Sequence, residues 1–391
     1  MKIGIDKIGF YAPHLFLDMN KLAVARDVDP AKYTIGIGQE KMAIAPITQD
    51  AVSLAANAAL NILDDKDKED IDFVIFGTES GIDYSKSAGV YIHDLLGLNP
   101  KARTIEVKQA CYGATAGIQM AKGHIALHPK SKVLVLGADI ARYGLNSGGE
   151  ATQGAGAVAM VISADPRILA LEDKSAYLTA DIMDFWRPVY SDTAMVDGKL
   201  SNEKYISFFE SVWEDYKVQS GFGLEDFTAI CFHLPYTKMG QKALRAIYEQ
   251  GTEEDKERLV ANLEASKTYN KQVGNIYTGS LYLSLLSLLE QQEELQDGAR
   301  IGLFSYGSGA VGEFFTGVLQ PGYRKYLNTY DHEELLASRT ELSVDAYETV
   351  FEDTLPADGS TVELEIEADP AKIALSGISG HMRHYVHKDK K

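Results

Sequence analysis

The chain is poor in cysteine, tryptophan and positive charge, and it has no long apolar run. Its 391 residues include two cysteines, Cys111 and Cys231. That excludes a disulfide framework, and a reducing, cytoplasmic setting is the simplest expectation. Lys and Arg number 38 against 56 Asp and Glu, for a net charge of −18. This balance argues against nucleic acid or an anionic membrane surface as a partner. A small anion held in a local basic pocket stays compatible with it. The opening residues, MKIGIDKIGF, hold no uninterrupted apolar stretch of signal-peptide length. No later segment reaches the roughly 18 apolar residues of a membrane span, so no membrane partner is expected. Metal-ligand spacing is also missing. His332-Glu-Glu-Leu-Leu336 lacks the second histidine of a zinc-protease helix.

What is present is ordinary for a globular protein: 45% hydrophobic and 24% charged residues, in a chain long enough for one large core or two domains. Residues 2–11 alternate like a strand. Residues 51–63 read as a helix capped by Thr48 or Asp50, and 64–70 as a solvated acidic turn. Continuous apolar runs at 72–77, 132–137 and 154–162 suit central strands covered on both faces. Strands alternating with helices indicate the α/β class.

The second half echoes the first. Residues 225–233 repeat the pattern of 71–79: an acidic turn, a strand, then a polar residue at the strand end, Glu79 in one case and His233 in the other. Residues 274–280 followed by an apolar helix echo the segment after Cys111. Gly307-Ser-Gly-Ala-Val-Gly312 echoes Gly154-Ala-Gly-Ala-Val-Ala159. The three echoes fall in the same order, which indicates a duplicated α/β unit. The boundaries that follow are 1–165 and 166–391, with insertions near 195–222 and 323–365. Within the first insertion, aromatic residues at helical spacing from Tyr205 to Tyr216 predict an amphipathic helix covering the core.

Gly307-Ser-Gly309-Ala-Val-Gly312 matches a dinucleotide-binding pattern literally. The residues after it, 313–319, read as a strand rather than a helix, so the glycines mark a strand-to-strand turn instead. Either cysteine is a candidate nucleophile. Cys231 lies inside an apolar strand, where a thiol serves as a small hydrophobe. Cys111 precedes a helix rich in small residues, whose glycines each cost about 1 kcal/mol of intrinsic propensity. Packing must therefore hold that helix. Its N-terminus should lower the thiol's pKa toward the thiolate. Ligands in open α/β sheets bind beyond the carboxyl ends of strands, where Glu79 and His233 are expected. Duplication would bring these two and Cys111 toward one pseudo-twofold axis. Lys238 and Lys242, one helical turn apart, either hold phosphates or lie on a solvated face.

Five stretches carry a resemblance: Phe76-Gly-Thr-Glu-Ser80, Gln109-Ala-Cys-Tyr-Gly-Ala-Thr115, Cys231-Phe-His-Leu-Pro-Tyr236, Gly274-Asn-Ile-Tyr-Thr-Gly-Ser280 and Ser305-Tyr-Gly-Ser-Gly-Ala310. Over nearly its whole length the chain resembles the bacterial 3-hydroxy-3-methylglutaryl-CoA (HMG-CoA) synthases of the thiolase superfamily. The resemblance implies a thiolase-like fold with a layered αβαβα core. It also implies condensation of acetyl-CoA with acetoacetyl-CoA in the mevalonate pathway, a homodimer, and no cofactor beyond the CoA thioester substrates. Cys111 would carry the acetyl group, Glu79 would remove a methyl proton, and His233 would supply or stabilise the proton on the new alkoxide. The backbone N–H groups of Cys111 and Ser308 would form the oxyanion site. Asn275 and Ser308 would orient the second substrate. Tyr143, Asp184, Phe185 and Tyr277 would line the pocket, and Lys238 and Lys242 would face the CoA phosphates. A β-ketoacyl-ACP synthase is the nearest rival, because it shares a Cys-His-Asn set. It obtains its carbanion by decarboxylation and needs no carboxylate base, so Glu79 discriminates. A thiolase would need a second cysteine near the C-terminus, and none follows Cys231.

Overall fold

Nine strands, most of them apolar and shielded on both faces, form one mixed sheet in the computed structural model, which describes residues 1–191 and 193–390. In chain order they are β1 (Ile3–Tyr11), β2 (Ile71–Gly77), β3 (Arg103–Val107), β4 (Lys132–Ala141), β5 (Gly154–Ala164), β6 (Leu169–Thr179), β7 (Ala229–Phe232), β8 (Arg300–Gly307) and β9 (Val311–Leu319). Their order across the sheet is β7-β8-β9-β6-β1-β5-β4-β2-β3. The central pairing, β1 with β6, is short and antiparallel.

Divided at that pairing, the sheet reads β1-β5-β4-β2-β3 on one side and β6-β9-β8-β7 on the other. Each side repeats one rule. Its first strand pairs antiparallel with its last, the last pairs antiparallel with the one before it, and that strand pairs parallel with the second. The first side alone adds an outer strand, β3, parallel to β2.

Helices fill the space between the two sides and cover their backs. We label α1 (Ala51–Leu60), α2 (Ala88–Leu96), α3 (Gly113–Leu127), α4 (Gly198–Ser220), α5 (Lys238–Ala246), α6 (Ser280–Gln291) and α7 (Val344–Glu352). Ile118 and Ile125 of α3 and Leu285 and Leu289 of α6 share one buried cluster with residues from both sides of the sheet. These two helices form the middle layer. Helices α1 and α2 cover the outer face of the first side, and α4 covers that of the second through Phe209 and Trp213. The result is five layers, αβαβα.

Close packing explains Gly117 of α3, whereas a side chain at Gly123 would meet nothing. A Cβ on Gly117 would sit 3.0 Å from Ile75 and 3.1 Å from Val135, so the missing side chain lets the helix lie directly on β2 and β4. Helix α6 is buried nearly all round, and leucines fill most of its circumference while Ser280, Ser284 and Ser287 share one narrow face. Asp50 caps α1 in a reciprocal capping box with Ser53. The acidic stretch 64–70 corrects the sequence expectation: it is a short helix, Asp65–Asp70, rather than a solvated turn. Asp67 is buried there and receives Lys7 at 2.5 Å and Lys132 at 2.7 Å, which offsets the cost of burying its charge. Among the described residues, no helix is long and apolar enough to cross a membrane.

Candidate active site

Strand β2 ends at Gly77 against the start of α3. A Cβ at this position would lie 2.5 Å from the Ala114 nitrogen, so only glycine allows the approach. The chain then turns at Thr78, and the turn is held by the buried carboxylate of Asp139 on β4. One Asp139 oxygen accepts the Glu79 N–H at 2.8 Å and the Ser80 N–H at 2.9 Å. The other accepts the Thr278 N–H at 3.0 Å and the Thr278 hydroxyl at 2.5 Å. Asp139 thus ties the Glu79 turn to a loop of the second half, and these donors satisfy its buried oxygens. Sequence reasoning missed it. The signal was a lone carboxylate inside the apolar run of β4.

Cys111 sits in the turn between β3 and α3. Ala110, just before it, has φ 42°, a left-handed conformation that costs a residue with a side chain. The end of β8 presses on this turn: a Cβ on Gly307 would be 2.5 Å from the Gln109 carbonyl oxygen. The Cys111 Sγ donates to Glu79 Oε1 at 3.3 Å. The structure corrects the expectation that this thiol is acidified. Burial, Glu79, Asp139 and Asp184 push its pKa well above the ordinary value. Desolvation and three carboxyl groups outweigh the dipole of α3. The resting sulfur is therefore a thiol. Burial, with Asp139 adding to it, pushes the Glu79 carboxyl up to about 8. The Arg187 guanidinium opposes that rise and donates to the Glu79 carbonyl oxygen. Arg187 is a second residue that sequence reasoning did not single out.

His233 follows β7 at the position that Glu79 takes after β2. It is 2% exposed, and burial pushes its pKa down to about 3. The imidazole is neutral at physiological pH, and its buried Nδ1 has no hydrogen-bond partner. Tyr205 donates to the His233 carbonyl at 2.5 Å, and its ring lies 6.4 Å from the imidazole. Tyr205 is also within electrostatic range of Cys111. Asn275 precedes α6, and its Oδ1 accepts the Tyr277 N–H at 2.8 Å and the Ser280 hydroxyl at 2.9 Å. Tyr277, Tyr143 and Phe185 form an edge-to-face trio with ring centroids 5.8 to 6.2 Å apart. Burial raises the pKa of the Tyr143 hydroxyl, which lies within electrostatic range of Cys111 and Glu79, so the trio stands near them.

Asp184 is fully buried. It accepts the Tyr306 hydroxyl at 2.9 Å and the Gly309 N–H at 2.8 Å, which fixes the turn carrying Ser308. The Ser308 carbonyl accepts the Gln109 side chain at 3.2 Å, so Ser308 lies beside the Cys111 turn. Lys238 opens α5, five residues after His233. Lys242, exposed on the same helix, donates to the Tyr236 hydroxyl at 2.9 Å. Cys231 is buried in β7 within the central core, as its apolar context predicts.

A half-buried thiol hydrogen-bonded to a carboxyl group, with an imidazole beyond the matching strand end of a repeated α/β unit, defines a thiolase-like condensing enzyme. The hydroxymethylglutaryl-coenzyme A synthase N-terminal family matches residues 1–167, and the C-terminal family of the same enzyme matches 170–265 and 245–357. A hydroxymethylglutaryl-CoA synthase of Enterococcus faecalis is 56% identical over 385 residues, covering 98% of this chain and 100% of that one. A crystal structure of an HMG-CoA synthase complexed with CoA superposes with TM-score 0.96 at 47% identity, over 99% of this chain and 100% of that one. Another structure, in complex with 3-hydroxy-3-methylglutaryl coenzyme A, gives TM-score 0.89 at 34% identity over 99% of both chains. The chain belongs to the hydroxymethylglutaryl-CoA synthase family, whose members are acyl-transferring condensing enzymes acting on CoA thioesters.

Proposed function

We propose that the chain joins acetyl-CoA to acetoacetyl-CoA and water, giving HMG-CoA and CoA for the mevalonate pathway, through an acetyl thioester on Cys111. The observation that carries this reading is the 3.3 Å contact between the Cys111 thiol and a Glu79 carboxyl whose pKa is pushed up to about 8. A general base works best with a pKa near the operating pH. Glu79 takes the thiol proton as the sulfur attacks acetyl-CoA, and CoA leaves as the thiol with that proton. Glu79, again a carboxylate, removes a proton from the acetyl methyl. The resulting carbanion equivalent attacks the ketone of acetoacetyl-CoA. The neutral His233 imidazole hydrogen-bonds the ketone oxygen and the alkoxide it becomes, and the proton held by Glu79 neutralises it. Water then releases the product from Cys111, and its proton returns to the sulfur.

The N–H groups of Cys111 and Ser308 are assigned to the enolate oxygen. Asn275 orients the second substrate, and Tyr143, Phe185 and Tyr277 wall the acyl group. Asp184 holds the Ser308 turn. Lys238 lies at the start of α5, where the helix dipole favours an anion, with Lys242 one turn further on, and we assign both to the CoA phosphates. The two functional halves are 1–165, supplying Glu79 and Cys111, and 166–391, supplying His233 and Asn275. A cytoplasmic homodimer is the proposed assembly. Strand β3 ends the sheet with a free edge and an exposed Ile105, a surface that another chain can complete.

Mass spectrometry after incubation with acetyl-CoA should find one acetyl group on Cys111. Acetoacetyl-CoA should then discharge it as HMG-CoA. Discharge by malonyl-ACP instead would establish the β-ketoacyl synthase reading, and no covalent acetyl group would end the enzymatic one.

A further inference from the structure

The segment after β9 looks remote from the chemistry in sequence, yet one of its helices grips the loop that carries Tyr143. That loop, residues 142–153, connects β4 to β5. Three residues on one face of α7 hold it. The Tyr347 hydroxyl accepts the Gln153 side-chain N–H at 2.9 Å and donates to Glu150 at 3.2 Å. Glu348 pairs with Arg26 at 2.7 Å, and Arg26 in turn grips Glu150 with two bonds of 2.7 and 2.8 Å. The Phe351 carbonyl accepts from Arg142, whose guanidinium also lies 4.2 Å from the Phe351 ring centroid.

The contacts converge on one backbone position. Gln153 spends its amide N–H on Tyr347 and its carbonyl oxygen on the Tyr143 N–H at 2.7 Å and the Gly144 N–H at 3.3 Å. Tyr347 therefore fixes which way the Gln153 amide faces, and that orientation anchors Tyr143. Gly144, with φ 98°, gives the loop the freedom to swing if the anchor is lost. Gln153, Glu150 and Tyr347 are each at most 3% exposed, so water does not replace a lost partner cheaply. A second handle touches the ring itself. A Cβ on Gly149 would lie 2.6 Å from Tyr143 Cγ, at the rigid base of the ring.

We infer that α7 is part of the acyl pocket's mechanism: Tyr347, acting through Gln153, is a positioning residue that sets the Tyr143 wall beside Cys111. This rests on the reading of Tyr143 as a pocket residue given above. The wall borders the reacting sulfur rather than the CoA tail, so its displacement should slow the reaction more than it weakens binding.

The test is Tyr347→Phe, which removes one hydroxyl and keeps the ring, in the parent and in a Tyr143→Ala background. In the parent, kcat for condensation should fall about tenfold, with KM changed by less than about twofold, since small misplacements near reacting atoms are costly. In the Tyr143→Ala background the same change should have no further effect. Gly149→Ala, which moves the ring without touching the network, should reproduce the kcat loss. Thermal melts of every variant establish folding. An equal loss from Tyr347→Phe in both backgrounds would overturn the inference and leave a merely structural role, and so would no loss in the parent. A Tyr143→Ala variant that condenses normally would instead overturn the underlying pocket reading.

Discussion

The two halves of the molecule share a strand order and differ in what they place at equivalent points. Beyond β2 stands Glu79; beyond β7 stands His233. Before α3 stands Cys111; before α6 stand Asn275 and Tyr277. The first half contributes a thiol and a carboxyl group beside the buried Asp139, and burial together with that neighbour pushes both the Cys111 and the Glu79 pKa up. The other half contributes His233, Asn275 and Tyr277 as hydrogen-bonding groups, with the His233 pKa pushed down to about 3, while its charged residues Asp184 and Arg187 act on the first set from outside. A repeated scaffold thus carries two unlike sets of side chains at equivalent points. The first set is suited to moving protons and the second to holding oxygen atoms still. If that division is right, damage to the first half should abolish chemistry and damage to the second should weaken use of the second substrate.

Glu79→Gln is the harshest test of the division. Acetyl transfer between two thiols is nearly balanced in energy and should survive, although slowed. Condensation requires removal of a weakly acidic methyl proton and should fall on the order of a thousandfold or more. Rapid-quench mass spectrometry would follow the acetyl group on Cys111. Loss of acetylation as the main defect would shift Glu79's role to the thiol alone. The pH profile sharpens the point. The base must be ionised to act, so wild-type condensation should rise tenfold per pH unit below about 8 and level off above it. Stability should run the other way. Between the unfolded value, near 4.5, and about 8, the folded protein holds a proton that the unfolded chain releases, so this group destabilises the fold as pH rises through that window. Glu79→Gln should therefore raise the melting temperature at pH 9 and leave it little changed at pH 4.

His233→Ala probes the other half. A lost donor at a developing oxyanion costs about a hundredfold or more in rate, so kcat/KM for acetoacetyl-CoA should fall by about that much. The rate of Cys111 acetylation should stay within about twofold of the parent, because the ketone is absent at that step. Burial keeps the imidazole neutral, so the wild-type profile should show no limb between pH 5 and 7 from this residue. An acetylation defect as large as the condensation defect would erase the contrast between the halves.

Much of this arrangement is legible in the sequence, because its determinants are local. Continuous apolar runs mark β2, β4 and β5, and small residues mark the helix that must lie close to the sheet. Polar residues at strand ends point to Glu79 and His233. What stays hidden depends on which distant side chains meet. The dipole of α3 predicts an acidic Cys111, but the sign of the shift is set by Asp139 and Asp184, 28 and 73 residues further on, and their proximity is a property of the fold. Asp67 looked solvated because the run 64–70 is acidic throughout, while its lysine partners come from β1 and β4. The hold of α7 on Tyr143 spans about 200 residues and leaves no periodic trace.

The smallest expected effect is at the edge of the second half. Lys242 is exposed in the middle of α5, and its side chain bonds the Tyr236 hydroxyl. A surface contact of this kind contributes little, so Lys242→Ala should raise KM for both thioesters about threefold and leave kcat alone. Phosphate attraction through water is screened by salt, and the difference between variant and parent should vanish near 1 M. If Lys242 meets only the nucleotide phosphates, the same substitution should have no effect on a truncated acetyl thioester that lacks the nucleotide. A change in kcat, or a KM effect that persists with the truncated thioester, would mean that α5 acts on the reacting end. His233 and Lys242 would then no longer divide the second half into a part that orients the acyl group and a part that holds its carrier.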